Sequence, residues 1–234
     1  MYFYHVEGDE NLKGKIIVID GLDGSGKETQ AKLLAQSLRD SGRDVLTVSF
    51  PVYESPASAP VRMYLSGEFG SSADDVNPYA ASAFFAVDRF ASFKKDWQKF
   101  YQQGGLIIAD RYTTSNVVHQ CSKLPKEEWD GFAKWLFGFE YDLMEIPSPD
   151  GVIYLRVDPE VSQKLMSKRY DSDENKKDIH ERDVDYLRRS LAAADHFAES
   201  LGWNRVECVS GDNMRTIEDI SRDVLAAAES IINR

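Results

Sequence analysis

The chain has 234 residues, of which 42% are hydrophobic and 29% charged, and its formal net charge is −11. This length and composition favour a single soluble α/β domain, and no apolar run reaches the roughly 18 residues of a membrane span. The acidic balance argues against a general binder of nucleic acid or anionic membrane, which needs a broad basic surface. An anionic small substrate would require the positive charge to be concentrated in one cleft.

The first residues and the cysteines give two further expectations. MYFYHVEGDENLKGK lacks the basic and apolar regions of a secretory signal, so residues 1–14 are interpreted as an extension before one domain at 15–234. Cys121 and Cys208 lie far apart and form no CxxC pair. Reduced thiols in a cytosolic protein are the expected state.

Short apolar runs alternate with helical patterns, which predicts βαβ units and one doubly wound parallel sheet. In such a sheet, ligands bind at the carboxyl ends of the strands. The predicted strands are KIIVID (15–20), VLTVSF (45–50), LIIAD (106–110), VIYLRV (152–157) and RVECV (205–209). Helices are predicted at 27–42, 57–67, 78–104, up to 143, up to about 201, and at 216–232.

The stretch GLDGSGKET (21–29) fits the G-x4-G-K pattern of a phosphate-binding loop between a buried strand and an amphipathic helix. Glycines let backbone N–H groups face an anion, and the helix N-terminus favours negative charge. Lys27 is expected between the transferred and retained phosphates of a nucleoside triphosphate. A glycine-rich turn with a chance lysine is the plainer alternative, which the strand–loop–helix context disfavours. The predicted donor-binding residues are Gly21, Gly24, Ser25, Gly26, Lys27, Glu28 and Thr29.

Glu28 stands where such loops carry a magnesium-binding Ser or Thr directly after the lysine. A full charge about 4 Å from a phosphate charge would cost roughly 4 kcal/mol at an effective dielectric of 20. We therefore expect Glu28 either to turn away from the phosphates or to meet magnesium directly or through water. Thr29 then supplies the hydroxyl beside the phosphates.

Further motifs follow the loop in a definite order. They are FPVY (50–53), YLSGEFG (64–70), FFAVDR (84–89), DRYTTSNVVHQ (110–120), DPEV (158–161) and HERD (180–183). Together with the loop, their order and spacing resemble the thymidylate kinase family over nearly the whole chain, from about residue 15. The resemblance implies a P-loop kinase fold, with a five-stranded parallel sheet flanked by helices and a mobile lid at about 168–182.

The same resemblance implies an activity. The γ-phosphoryl group of ATP, with Mg²⁺, would be transferred to dTMP to give dTDP in pyrimidine deoxynucleotide biosynthesis. A cytoplasmic homodimer is implied, with no nucleic acid or membrane as partner.

Phe85 and Arg89 are four residues apart on a predicted helix and so share a face. An aromatic stripe at this spacing is usually core, whereas Arg is rarely buried unless it is paired. The resemblance implies that Phe85 stacks on thymine and that Arg89 hydrogen-bonds the base.

Asp110 and Arg111 close the third predicted strand, although a surface ion pair explains a lone DR dipeptide equally well. The resemblance implies that Arg111 binds the acceptor phosphate and that Asp110 supports the metal or its waters. Ser115, His119 and Gln120 match substrate-lining positions. His119 departs from the Tyr or Phe of many members, and a satisfied surface histidine is the alternative.

Phe50, Pro51 and Tyr53 follow the second predicted strand and match acceptor-binding positions. Some members have an Arg directly after the Pro, where this chain has Val52. The Tyr53 hydroxyl and the charge of Arg62 are the candidate replacements. A solvated helix Arg is the alternative for Arg62.

The predicted lid is polar, and an exposed loop explains it too. Members of the family carry a catalytic basic residue in the phosphate loop or in the lid. Gly24 occupies the loop position and has no charge, so Lys168 or Arg169 is the expected catalytic cation. The predicted metal ligands are Asp23, Glu28, Asp110 and Glu181, with Asp178 one turn before Glu181. Asn213 falls in a predicted adenine-side loop, which a plain turn explains almost as well.

The predicted reaction is in-line phosphoryl transfer without a covalent intermediate. Lys27, Asp23, Arg111 and the lid cation are its catalytic candidates. One alternative is a kinase for another pyrimidine nucleotide or a deoxynucleoside. Another is a nucleotide-binding protein that has lost turnover, with Glu28 as the lesion.

Overall fold

Five parallel strands form the central sheet of the computed structural model, which describes residues 13–163, 180, 183–211 and 213–234. The strand order is β2-β3-β1-β4-β5. The bounds are β1 (Lys15–Gly21), β2 (Val45–Ser49), β3 (Leu106–Asp110), β4 (Gly151–Arg156) and β5 (Asn204–Glu207). Helices flank this sheet, so the predicted α/β fold is confirmed.

Eight α-helices lie wholly within the described part of the chain. They are α1 (Lys27–Asp40), α2 (Ala59–Leu65), α3 (Pro78–Ser92), α4 (Gln98–Gln102), α5 (Thr113–Cys121), α6 (Trp129–Phe137), α7 (Val184–Ser200) and α8 (Ile217–Ile232). Asn77 begins α3 by accepting a hydrogen bond from the Ala80 N–H, directly before Pro78 at the first helical position. None of the described helices is long and apolar enough to cross a bilayer.

The strands are near-continuous apolar runs because the sheet is covered on both faces. Ile17 and Ile19 of β1 point to one face, where they pack with α1 and α8. Ile16 and Val18 point to the other face, where α5, α6 and α7 cover them. The alternation along β1 thus builds two cores.

The structure corrects three of the predicted elements. The strand expected at 205–209 ends at Glu207, and Val209–Ser210 (β6) pairs antiparallel with Asn213–Met214 (β7) in a separate small sheet. The helix expected from 78 to 104 contains a π-helical turn at Phe93–Trp97. A second π-helical turn, Gly138–Leu143, follows α6. Apolar spacing did not reveal these turns, because one extra residue per turn changes the periodicity only locally.

Candidate active site

A cleft of about 1050 Å³ opens at the carboxyl ends of β1, β2 and β3. It extends along α3 and α5, and its far side includes the start of α8. Most predicted site residues line it: Asp23, Gly24, Ser25, Gly26, Lys27, Glu28, Thr29, Phe50, Pro51, Tyr53, Phe85, Arg89, Asp110, Arg111, Ser115, His119 and Gln120. Three are absent from its walls: Gly21, Arg62 and Asn213. Lys168, Arg169, Asp178 and Glu181 lie outside the described residues.

The phosphate loop depends on its glycines. Gly24 and Gly26 have φ angles of 77° and 87°, in the left-handed region that favours glycine. At Gly21 a Cβ would lie 2.6 Å from the Leu155 carbonyl oxygen and 2.7 Å from Ser25 Oγ, so a side chain does not fit there. Ser25 Oγ is buried and has no hydrogen-bond partner among the described residues. A donor hydroxyl and the first N–H groups of α1 therefore face the space where a phosphate would sit.

Lys27 is buried at the start of α1, with its ammonium group held inside the loop. Its Nζ donates to the Leu22 carbonyl at 2.7 Å and lies 3.8 Å from Asp23 Oδ1. Burial and the neighbouring Arg111 lower the pKa of Lys27 to about 8, while Asp23 opposes that shift. An incoming phosphate would add negative charge beside Lys27 and favour its charged form.

Glu28 bonds with its neighbour one helical turn on. Its Oε1 accepts from Lys32 Nζ at 2.6 Å, and more than half of both side chains is exposed. This geometry favours the expectation that Glu28 turns away from the phosphates over the expectation that it meets the metal. A solvated i,i+4 pair of this kind contributes little to stability.

Arg111 joins the end of β3 to the phosphate loop. Its guanidinium Nη2 donates to Asp23 Oδ1, and both side chains are largely buried. Burial opposes the charge on each, yet the pair raises the pKa of Arg111 and lowers that of Asp23. The backbone of Arg111 has a φ of 64°, which is costly for a residue with a side chain and is typical of functional sites.

Asp20 was not predicted as a site residue, although it is an acid at the end of an apolar strand. It is only 2% exposed and accepts hydrogen bonds from Ser115 Oγ at 2.6 Å and Thr114 Oγ1 at 2.5 Å. Its Oδ1 also accepts from the Gly21 N–H at 2.8 Å. Ser115 therefore ties the start of α5 to the phosphate loop, a role that differs from the predicted substrate contact.

Arg89 is buried because it is paired. Its guanidinium makes two hydrogen bonds to Glu140 in the π-helical turn after α6, and the two side chains are 2% and 0% exposed. Burial opposes the charge of Arg89, but Glu140 raises its pKa above the usual value. Glu140 was missed because no local pattern connects it with Arg89.

His119 is buried, so the alternative of a surface histidine is wrong. Its ring stacks on His180 and Tyr186, with centroid distances of 5.6 and 6.0 Å, and its Nε2 lies 3.4 Å from Arg111 Nη1. Burial, followed by the charge of Arg111, lowers the pKa of His119 to about 3. A neutral Nε2 can accept from Arg111, so His119 helps to orient that arginine. Neither amide atom of buried Gln120 has a partner among the described residues.

Arg62 and Asn213 take other positions. Arg62 Nη1 donates to the carbonyls of Tyr53 and Ser55, at 2.6 and 3.0 Å, and so braces the segment after β2. Asn213 is exposed in the small sheet, and its neighbours Met214 and Arg215 line the cleft in its place.

Asp110 presents the most suitable carboxylate for a metal. Its Oδ1 is buried without a partner among the described residues, and burial raises its pKa. The described residues contain no group of three or more His, Cys, Asp or Glu side chains that would hold a metal by themselves. A metal here would therefore need ligands from the nucleotide or from water.

A strand, a glycine-rich loop with a buried lysine and a helix N-terminus together define a phosphate-loop nucleotide-binding protein of α/β fold. The family model "Thymidylate kinase" matches residues 19–208. The thymidylate kinase of Mycobacterium tuberculosis (strain CDC 1551 / Oshkosh) is 31% identical over 190 residues, which cover 80% of this chain and 87% of that protein. That of Plasmodium falciparum is 28% identical over 223 residues (95% and 93%), and that of Danio rerio 25% identical over 225 residues (94% and 92%). The chain belongs to the thymidylate kinase family and is a phosphotransferase.

Proposed function

We propose that this protein phosphorylates dTMP to dTDP with ATP as the phosphoryl donor. The observation that supports this most directly is the contact between Asp23 of the phosphate loop and Arg111 at the end of β3. Arg111 and Lys27 both approach this carboxylate, which supports a role for Arg111 at the acceptor phosphate and for Lys27 at the donor phosphate. Family membership supplies the identity of the acceptor.

Catalysis would come mainly from positioning and charge stabilisation in a loose, in-line transfer. Lys27 would neutralise charge between the β- and γ-phosphates of the donor. Arg111, fixed by Asp23 and His119, would hold the acceptor phosphate in line with it. The further cation predicted at Lys168 or Arg169 remains a prediction, because both residues lie outside the described part of the chain.

The base end of the cleft suits a pyrimidine with carbonyl groups. Phe85 provides a ring beside the cleft, and Arg89 provides a guanidinium that can only donate. The buried amide of Gln120 has a donor and an acceptor to satisfy. An imide edge, with its alternating carbonyl and N–H groups, satisfies such an amide.

Magnesium fits the oxygen donors of the site. Asp110, with its unpartnered buried oxygen, and Asp23 would hold the ion together with phosphates and water, as is usual for Mg²⁺. The bound ion would neutralise charge that develops on the transferred phosphoryl group. Glu28 is less suitable because its carboxylate is more than half exposed and pairs with Lys32 on the surface. Glu181 stays a prediction outside the described residues.

We also propose a homodimer in a reducing compartment such as the cytoplasm. Tyr79 and Val87, two helical turns apart on α3, are about half exposed, and the Tyr79 ring contacts partly exposed Trp135. An apolar surface of this kind suits burial against a second copy. Cys121 and Cys208 are both buried and unpaired, as a reducing compartment would maintain them.

A phosphotransfer assay with dTMP, dUMP, UMP, dCMP and thymidine tests the proposed function. We expect ADP release to be fastest with dTMP. A faster reaction with another acceptor would contradict the substrate and favour a different pyrimidine kinase. ATP binding without ADP release for any acceptor would indicate a protein that has lost turnover.

A further inference from the structure

Glu140 is a buried acid in the π-helical turn Gly138–Leu143. Its Oε2 accepts from Arg89 Nε at 2.6 Å, and its Oε1 accepts from Arg89 Nη2 at 3.2 Å. Thr113 Oγ1 donates to the same Oε2 at 2.7 Å. The carboxylate thus grips one edge of the guanidinium at two points and is itself fixed by the first residue of α5.

Two aromatic rings lie against the same guanidinium. Arg89 Cζ lies 5.2 Å from the centroid of the Phe50 ring and 5.1 Å from that of Tyr112. Phe50 follows β2 and Tyr112 follows β3, and the two rings contact each other edge to face. The two hydrogen bonds to Glu140 fix one edge of the guanidinium, and the two rings pack against it from one side, so its orientation with respect to the sheet is restricted.

The contacts of the Arg89 guanidinium therefore also fix the direction of the edge that Glu140 leaves free. Arginine has five N–H donors and no acceptor, and Glu140 takes one from Nε and one from Nη2. The Nη1 donors have no acceptor among the described residues, and Arg89 belongs to the wall of the cleft. A donor-only group of fixed direction attracts a carbonyl oxygen and repels an amino group.

We propose that Glu140 is a positioning residue for base selection, which locks Arg89 so that the cleft accepts a pyrimidine with a carbonyl at C4 and rejects one with an amino group there. Thymine and uracil have that carbonyl, and cytosine has the amino group. This inference rests on the proposed function, in which Arg89 faces the base of the acceptor.

The test compares acceptor selectivity in Glu140→Gln, Thr113→Val and wild type, measured as kcat/KM for dTMP and for dCMP at saturating ATP. Glu140→Gln keeps the shape but removes the charge that holds Arg89. We expect the preference for dTMP over dCMP to fall about tenfold, mainly through a raised KM for dTMP, since a directed hydrogen bond to a charged group is lost. The KM for ATP should stay at its wild-type value.

Thr113→Val removes one hydrogen bond to Glu140 while the ion pair stays, so it should lower the preference about threefold in the same direction. Glu207→Gln is the matched control, because Glu207 also bonds an arginine, Arg205, but on the surface. Its selectivity should equal that of wild type. In a variant that already carries Arg89→Met, adding Glu140→Gln should no longer change selectivity. This is expected when two residues act together.

A folded Glu140→Gln variant with wild-type selectivity overturns the inference, as does an equal loss of kcat for both acceptors. If Glu140→Gln does not fold, because a buried unpaired arginine is costly, Thr113→Val decides: an unchanged preference overturns the inference and a lowered one supports it. A wild-type enzyme that does not prefer dTMP over dCMP instead refutes the proposed function itself. The two failures are thus distinguishable before any variant is made.

Discussion

The donor and acceptor sides of the cleft are built by different means. The donor side is a run of consecutive residues, 21–29, whose glycines shape the backbone and whose lysine bonds to the loop's own Leu22 carbonyl. The acceptor side is assembled from side chains far apart in sequence. Arg89 and Glu140, for example, are separated by 51 residues.

This difference separates two properties of the enzyme. Backbone N–H groups recognise a phosphate whatever nucleoside carries it, so the donor loop supplies charge stabilisation. The buried pairs orient side chains, and orientation decides which acceptor fits. Changes in the loop should therefore alter rate or folding, while changes in the buried pairs should alter selectivity.

Lys27→Met should lower kcat/KM about a thousandfold, roughly 4 kcal/mol of transition-state stabilisation, because no other described cation replaces it inside the loop. Selectivity between dTMP and dUMP should not change. Steady-state kinetics with both acceptors measure this, and Lys99→Met, on the exposed side of α4, is the control. A changed acceptor preference in Lys27→Met would contradict the division between the two sides.

Gly21→Ala should destabilise the protein by about 3 kcal/mol, because the new Cβ would approach the Leu155 carbonyl oxygen to 2.6 Å at a φ of 151°. Gly131→Ala in α6 is the matched control, since nothing lies within 4 Å of its Cβ position. Helix propensity predicts a gain of up to about 1 kcal/mol there. Urea unfolding of both variants measures the difference, and equal stability would refute the steric argument.

Acid should destabilise the acceptor side through His119, whose pKa is about 3 in the folded protein and about 6.5 when unfolded. Between these two pKa values the unfolded chain binds more protons than the folded protein does. The folded protein therefore loses stability as the pH falls. The slope approaches about 1.4 kcal/mol per pH unit. Unfolding free energies of wild type and His119→Gln from pH 7 to pH 4 check this. The variant should show the smaller slope, and parallel curves would contradict the buried neutral state.

Glu28→Ser should have the smallest effect, a change in stability of about 0.5 kcal/mol or less from the lost pair with Lys32. The magnesium concentration for half-maximal rate should stay the same, because Glu28 turns away from the phosphates. A magnesium titration of the rate measures this. A clear shift in that magnesium concentration would show that Glu28 contributes to metal binding and would contradict this prediction.

Sequence reasoning was most successful where short-range physics decides the outcome. LIIAD (106–110) coincides with β3, because the preceding Gly104 and Gly105 end the helical segment and the apolar run requires burial on both faces. The phosphate loop was equally recognisable. Each of these features is complete within a few neighbouring residues.

It was least successful where one residue depends on a distant one. Nothing near Arg89 indicates that Glu140 will reach it from a π-helical turn, and nothing near Asp20 indicates the hydroxyls of Thr114 and Ser115. Such pairs form only once the helices have packed on the sheet. Strand and helix patterns therefore predicted the walls of the cleft but could not predict the partners that orient its side chains.

The main-chain hydrogen bonds between neighbouring strands continue past the ends of the strands. They fix the spacing between backbone segments on the two sides of the cleft. The Arg111 N–H donates to the Ile19 carbonyl at 3.1 Å, and the Phe50 N–H donates to the Asp110 carbonyl at the same distance. Neighbouring strands lie about 4.8 Å apart. The hydrogen bond between Arg111 and Ile19 therefore sets the distance between the backbone of Arg111 and the strand that leads into the phosphate loop. A one-residue slip of β3 would turn Arg111 to the opposite face of the sheet. The spacing between the backbones of the phosphate loop and Arg111 is thus set by main-chain hydrogen bonds, and side chains around the base can change without altering it.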